Sequence, residues 1–375
     1  MKQSSMINEL FVLRSIACLC VVMVHAIAIG LNSIPSSNIT NLNYFLFDSL
    51  NMLLYFGTPV FIFISQFLIS YSYKNKDLPD YFINKRIKLL FLPFLFMAFF
   101  YSIPYMSSLE GWSFKLFMNV IIGDYHGYFI LIIFQFIILH KLFHRQLKVF
   151  NPKIVIPVSL FINITYLWIF NYTTAPNFQY AAYIWDRFYW VPFLGWIFYF
   201  TLGFYCGHYY KEFLALLKKY KKLILIAPIF SSIMLLALYH FDLLAIHSSK
   251  RIDILFHTTS LIFFLYYVAT KLKQIPELLI TISQYSFGIY LLHYFYQSVI
   301  DYLYQMNPVP LGSMYILLLF TLSITFSIGT VYYVNKWKYG QYIVGKIGIG
   351  YKENPLPKQS YKTHGSGNKR LTYSS

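Results

Sequence analysis

The chain has 375 residues, of which 58% are apolar, 21% aromatic and only 11% charged, with a net charge of +17 and a mean hydropathy of +0.55. A soluble domain carries about a quarter charged residues, so this chain has too little polar surface to cover a core in water. The composition excludes a disordered chain, a coiled coil and a uniformly basic nucleic-acid-binding domain, and it identifies an integral membrane protein.

Crossing roughly 30 Å of hydrocarbon takes about 20 apolar residues. Runs of near that length sit at about 10–31, 45–72, 87–106, 127–143, 154–171, 189–209, 223–241, 254–270, 279–302 and 313–334. The loops between them are short and polar. The pattern predicts an all-α polytopic membrane protein of about ten transmembrane helices in a single membrane-embedded domain, residues 1–345. Residues 346–375 are rich in Lys, Gly, Ser and Pro and are expected to form a disordered cytoplasmic tail. Residues 112–123 are too short to cross and are expected to lie along the outer surface or to re-enter. The first run holds Arg14 and lacks an A-x-A site, so it is expected to stay as a span.

Positive loops stay in the cytoplasm. With the N-terminus inside, 26 of the 30 Lys and Arg fall in inner segments, and Lys115, Arg187, Lys250 and Arg251 fall in outer ones. Both termini are therefore expected in the cytoplasm of a cell-membrane protein, and the net charge reflects topology rather than a nucleic-acid partner. Cys18, Cys20 and Cys206 lie in apolar runs with no CxxC spacing, and no His/Asp/Glu group has a metal spacing. No metal and no permanently bound cofactor are expected.

An ionisable residue in a span costs about 2.5–3.5 kcal/mol and needs a reason. Arg14 and His25 are 11 residues apart, which returns them to within about 20° of one helix face, roughly 16 Å apart along the axis. They either mark a pathway along that face, or Arg14 snorkels to headgroups while His25 bonds a neighbouring helix. Phe56-Gly57-Thr58-Pro59 is expected to bend the second span, followed by Ser65 and Gln66 at membrane depth. Lys85, Arg86 and Lys88 precede Pro93; they serve as positive-inside anchors or as a site for a phosphorylated donor. Asp124, His126 and Tyr128 gather at the outer mouth of the fourth span. Ser286, Tyr290 and His293, at i, i+4 and i+7, form one polar stripe on the ninth, open to interhelical hydrogen bonding or to a cavity role. His140, His144, His208 and His364 read as surface residues.

Together these segments resemble the integral membrane acyltransferases of the acyltransferase 3 type. Arg14 to His25 is similar to the family's first-span mark, and Ser65-Gln66-Phe67-Leu68 to its Ser-Gly-Phe-Leu, with Gln66 in place of glycine. Lys85, Arg86 and Lys88 before Pro93 resemble its basic approach to the third span. His126-Gly127-Tyr128-Phe129 looks like its His-x-Trp-Phe with Tyr for Trp, and the stretch from Tyr285 to His293 like its Ser-Tyr-x-x-Tyr-Leu-x-His. Order and spacing agree across residues 10–334, and the branch with the intercellular adhesin proteins, implicated in O-succinylation of poly-N-acetylglucosamine, looks most similar.

The resemblance implies transfer of an acyl group, acetyl or succinyl, from a cytoplasmic acyl-CoA to a hydroxyl of a cell-envelope or exopolysaccharide. Arg14 and Arg86, with Lys85 and Lys88, would bind the donor phosphates. His25 would act as general base, a task suited to a neutral imidazole near neutral pH. His293 or Tyr290 would orient it or stabilise the oxyanion, and Ser286 or Ser65 would carry an acyl group if the transfer were covalent. Ser65, Gln66, Asp124, His126 and Tyr128 would line the acceptor path or a cavity. A polysaccharide or lipid-linked sugar exporter is the competing reading.

Overall fold

The computed structural model describes residues 7–244 and 246–348; residues 349–375, with His364, lie outside the described residues, as does Lys2. Among the described residues every regular element is helical. The chain opens with α1 (Glu9–Ser33), α2 (Asn41–Leu54) and α3 (Gly57–Ser72). Next, α4 (Phe82–Arg86) runs through a π turn (Ile87–Phe91) into α5 (Leu92–Phe100), and α6 (Leu109–Ile121) leads to α7 (Tyr128–Val149) and α8 (Pro152–Tyr172). The segment α9 (Ala181–Trp190) bends by 43° into a 3-10 turn and α10 (Ile197–His208). The last elements are α11 (Tyr210–Lys219), α12 (Lys221–His240), α13 (Ile252–Ala269), α14 (Glu277–Met306) and α15 (Met314–Val334).

Eight of these segments are long and apolar enough to cross a membrane, and the bent pair makes nine. The remaining expected span is α14, whose 30 residues measure about 45 Å at 1.5 Å per residue. It is long enough to cross, but Gln284, His293, Gln297 and Asp301 make it more polar than the others. Those groups are tolerable because α14 packs against α1 and α15 rather than facing lipid. At the periphery, α8 and α12 turn Phe161, Ile226 and Phe230 outward, as lipid-facing helices should.

Breaks in the helices follow the prolines. Pro59 has no N–H to offer the Tyr55 carbonyl, and the break between α2 and α3 falls there. Gly57 then lets α3 press against α1: a Cβ on it would sit 3.0 Å from the Ala17 carbonyl oxygen. Pro93 likewise has no N–H to offer the Leu89 carbonyl, and the π turn before it absorbs the mismatch. Most of the short stretch 112–123 lies in α6, which packs on α5 and donates from Asn119 Nδ2 to the Ala98 carbonyl at 2.9 Å. Two residues placed in an outer loop, Lys250 and Arg251, are buried. Arg251 makes a two-pronged pair with Asp253 at 3.0 and 2.7 Å, and Lys250 lies over the Trp196 ring at 4.5 Å.

Candidate active site

Three histidines from distant parts of the chain meet where α1, α14 and the loop before α7 converge. The His25 ring centroid is 5.3 Å from that of His293, and His293 is 5.6 Å from His126. Tyr294 lies beside both His25 and His126, at 5.4 and 5.3 Å, and Tyr101 is 4.6 Å from His126. The loop that carries His126 turns at Gly123, whose φ of +69° is left-handed and favours glycine. Tyr290 holds the loop by donating from its hydroxyl to the His126 carbonyl at 2.5 Å.

The hydrogen bonding distinguishes the histidines. Nδ1 of His293 faces the Ile289 carbonyl at 2.9 Å and is therefore the N–H, leaving Nε2 as a lone pair with no hydrogen-bond partner. His293 is wholly buried. Burial first, and the neighbouring His25 second, push the His126 imidazole down to about 3. His25 and His126 both line a cavity, whereas His293 does not.

Two cavities approach each other at this point. One, about 390 Å³, is lined by Arg14, Arg86, Lys346, Ser65 and Ser286 among mostly apolar side chains. The other, about 540 Å³, is lined by His25, His126, Asp124, Lys115, Arg187 and Tyr294 among others. Phe129 and Tyr290 belong to both walls, so the pair forms the partition between them. In the second cavity Asp124 is gripped by Lys115 at 2.7 Å and Arg187 at 3.4 Å. In the first, none of the three cations has a carboxylate within ion-pair distance among the described residues.

Several expectations change here. Lys85 and Lys88 are exposed and line neither cavity, because the helix turns only Arg86 inward. Gln66 is fully buried away from both; its Oε1 accepts from His140 Nδ1 at 3.0 Å. His140 and His144, read as surface residues, are buried and bonded to each other at 3.1 Å, because their face of α7 packs inward near Gln66 on α3. Ser65 and Ser286 share the Arg14 cavity, whereas Tyr128 and Asp124 share the His25 cavity. Ser286 Oγ donates to the Ser283 carbonyl at 2.9 Å. Sequence reasoning missed Tyr101, Tyr294 and Lys346. Tyr294 adjoins His293 in the chain and was lost among 36 tyrosines, and Lys346 was assigned to the tail. Among the described residues no three His, Cys, Asp or Glu side chains gather so as to hold a metal ion.

The acyltransferase 3 family profile, an acyltransferase domain, matches residues 7–332. The chain belongs to this family. It is 39% identical to a Bacillus subtilis protein named "Putative membrane-bound acyltransferase YfiQ", over 91% of this chain and 95% of that one. It is 27% identical to a Staphylococcus aureus "Probable poly-beta-1,6-N-acetyl-D-glucosamine export protein", covering 90% and 95%. A protein of the same name from Staphylococcus epidermidis is 28% identical, covering 76% and 79%. No solved structure matches. Family membership makes the chain a membrane acyltransferase, and the spacing from Arg14 to His25 that suggested the family falls inside the matched region.

Proposed function

We propose that the protein moves an acetyl or succinyl group from a cytoplasmic acyl-CoA to a hydroxyl of a cell-envelope or exopolysaccharide. The observation that carries this reading is the pair of cavities divided by Phe129 and Tyr290, one edged by unpaired cations and the other by histidines. With both termini in the cytoplasm, the Arg14 cavity faces the cell interior, where acyl-CoA is made. Guanidinium groups suit the phosphates of CoA, and the apolar wall beyond them suits its pantetheine arm. The acceptor sugar enters the His25 cavity from outside.

In the reaction, His25 takes the proton of the sugar hydroxyl as its oxygen attacks the thioester carbonyl. The tetrahedral intermediate collapses, the C–S bond breaks, and the imidazolium returns its proton to the departing CoA thiolate. One ester and one thiol result, with no net proton change. His293, buried behind His25, acts as a positioning residue. Tyr290 spends its hydroxyl proton on the His126 carbonyl and so positions the acceptor loop. Asp124, His126 and Tyr128 line the acceptor path, while Ser65 and Ser286 line the donor path. Direct transfer accounts for the placement of all of these without a covalent intermediate.

A general base contributes about 10²–10⁴ in rate, so His25→Gln should cut acyl transfer in membranes at least a hundredfold at parental abundance. Retention of more than about a tenth of the activity would falsify the base assignment. The names of the staphylococcal relatives favour one competing reading, polysaccharide export. An exporter in which His25 only lines the path keeps polymer on the cell surface after His25→Gln. Ester-linked acyl groups on envelope polymers, compared in cells with and without the protein, separate the two.

A further inference from the structure

The family profile ends at residue 332, yet the packed chain continues to Gly348. After α15 the backbone reverses at Gly340, and the short turn Gly340–Tyr342 packs against α5 and the π turn that follows Arg86. Asn335 Nδ2 ties the reversal together by donating to the Val331 carbonyl at 2.9 Å and the Gly345 carbonyl at 3.0 Å. Val344 is buried among Phe94, Met97, Leu291 and Val331. Gly345, at φ +83°, turns the chain across Phe287, and the Gly348 N–H then donates to the Gln284 carbonyl at 2.8 Å. The segment is thus fixed at both ends over the stretch of α14 that holds Ser286 and Phe287, two walls of the Arg14 cavity.

This path has one chemical result: it delivers Lys346 to the cavity as a third cation beside Arg14 and Arg86. Among the described residues no Asp or Glu lines that cavity, and no carboxylate pairs with any of the three. We infer that residues 335–348 form a strap that completes the donor site, and that Lys346 binds the phosphates of the acyl donor. The inference rests on the acyl-CoA reading above. Half-buried Arg86 and exposed Lys346 both line the cavity, so a pyrophosphate bound there meets both cations. An ammonium fits this edge position as a mobile point charge, whereas the planar guanidinium of Arg14 sits deeper.

The test uses the full-length protein in nanodiscs, with CoA itself as the probe because it is independent of the acyl group. Lys346→Ala should weaken CoA binding about tenfold, the loss of one charge-assisted contact. Lys346→Arg should restore affinity to near the parental value, and the melting temperature without CoA should be the same in all three proteins. Parental affinity in Lys346→Ala overturns the inference. So does a loss of affinity accompanied by a lower melting temperature and no rescue by Lys346→Arg, since that marks a structural role. A parental protein that does not bind CoA overturns the donor reading itself, and this inference with it.

Discussion

Arg14 carries a charge into the wall of α1 with no carboxylate among the described residues beside it, a placement that costs several kcal/mol unless an anion offsets it. The proposed occupant is the donor's phosphate. Arg14→Ala should therefore weaken CoA binding ten- to a hundredfold, about 1.5–3 kcal/mol for a lost charge-assisted contact. Isothermal titration of the purified variant checks this, and an affinity equal to the parent's removes Arg14 from the donor site. Gln66 teaches a different lesson at the same scale. It stands next to Ser65 in the chain, yet Ser65 faces the Arg14 cavity while Gln66 faces His140. Adjacent helical residues are about 100° apart, so one can line a cavity while its neighbour is buried in a helix contact. A polar pair read at membrane depth could not be divided in this way before the neighbour of α3 was known.

Among the elements, α3 and α10 pack closely through Gly203 and Gly207. A Cβ on Gly203 would lie 2.5 Å from the Phe63 carbonyl oxygen, and one on Gly207 would meet the Phe67 carbonyl in the same way. These obstacles are backbone, so no side-chain rotation relieves them. This is the small-xxx-small contact that lets helices pack in lipid, where apolar burial gives no net driving force between helices. Gly207→Val should cost about 1–3 kcal/mol or more through overpacking and lower the melting temperature in detergent. Gly329→Val is the control, because a Cβ there meets nothing within 4 Å. Equal melting temperatures for the two variants would show that the α3–α10 contact can spread without cost.

At the scale of the whole molecule, the basic residues define the sides. The proposed topology puts Lys219, between α11 and α12, in the cytoplasm and Asp242, between α12 and α13, outside. In a functional background lacking other accessible cysteines, a cysteine at Asp242 should react with an impermeant maleimide on intact cells. One at Lys219 should react only after the membrane is opened. Strong outside labelling at Lys219 inverts the topology, and with it the assignment of the Arg14 cavity to the donor. The route across the protein is short because α1 carries Arg14 in one cavity and His25 in the other, with Phe129 and Tyr290 between.

The sequence by itself determined the class of protein, the positions of the spans and the family. Each of these depends on local composition or on spacing within a helix: about 20 apolar residues to cross, and 11 residues to bring Arg14 and His25 to one face. It also placed the break before Pro59, which one missing N–H dictates. Only the tertiary structure decided which histidines meet. His25 and His293 are 268 residues apart in the chain, and they touch because α1 packs on α14. Other contacts between distant segments left Lys85 and Lys88 outside the Arg14 cavity, buried His140 and His144 near α3, and brought Lys346 to that cavity from beyond the last span. Periodicity fixes a residue's angle about its own helix axis, but the neighbour at that angle is set by contacts between distant segments.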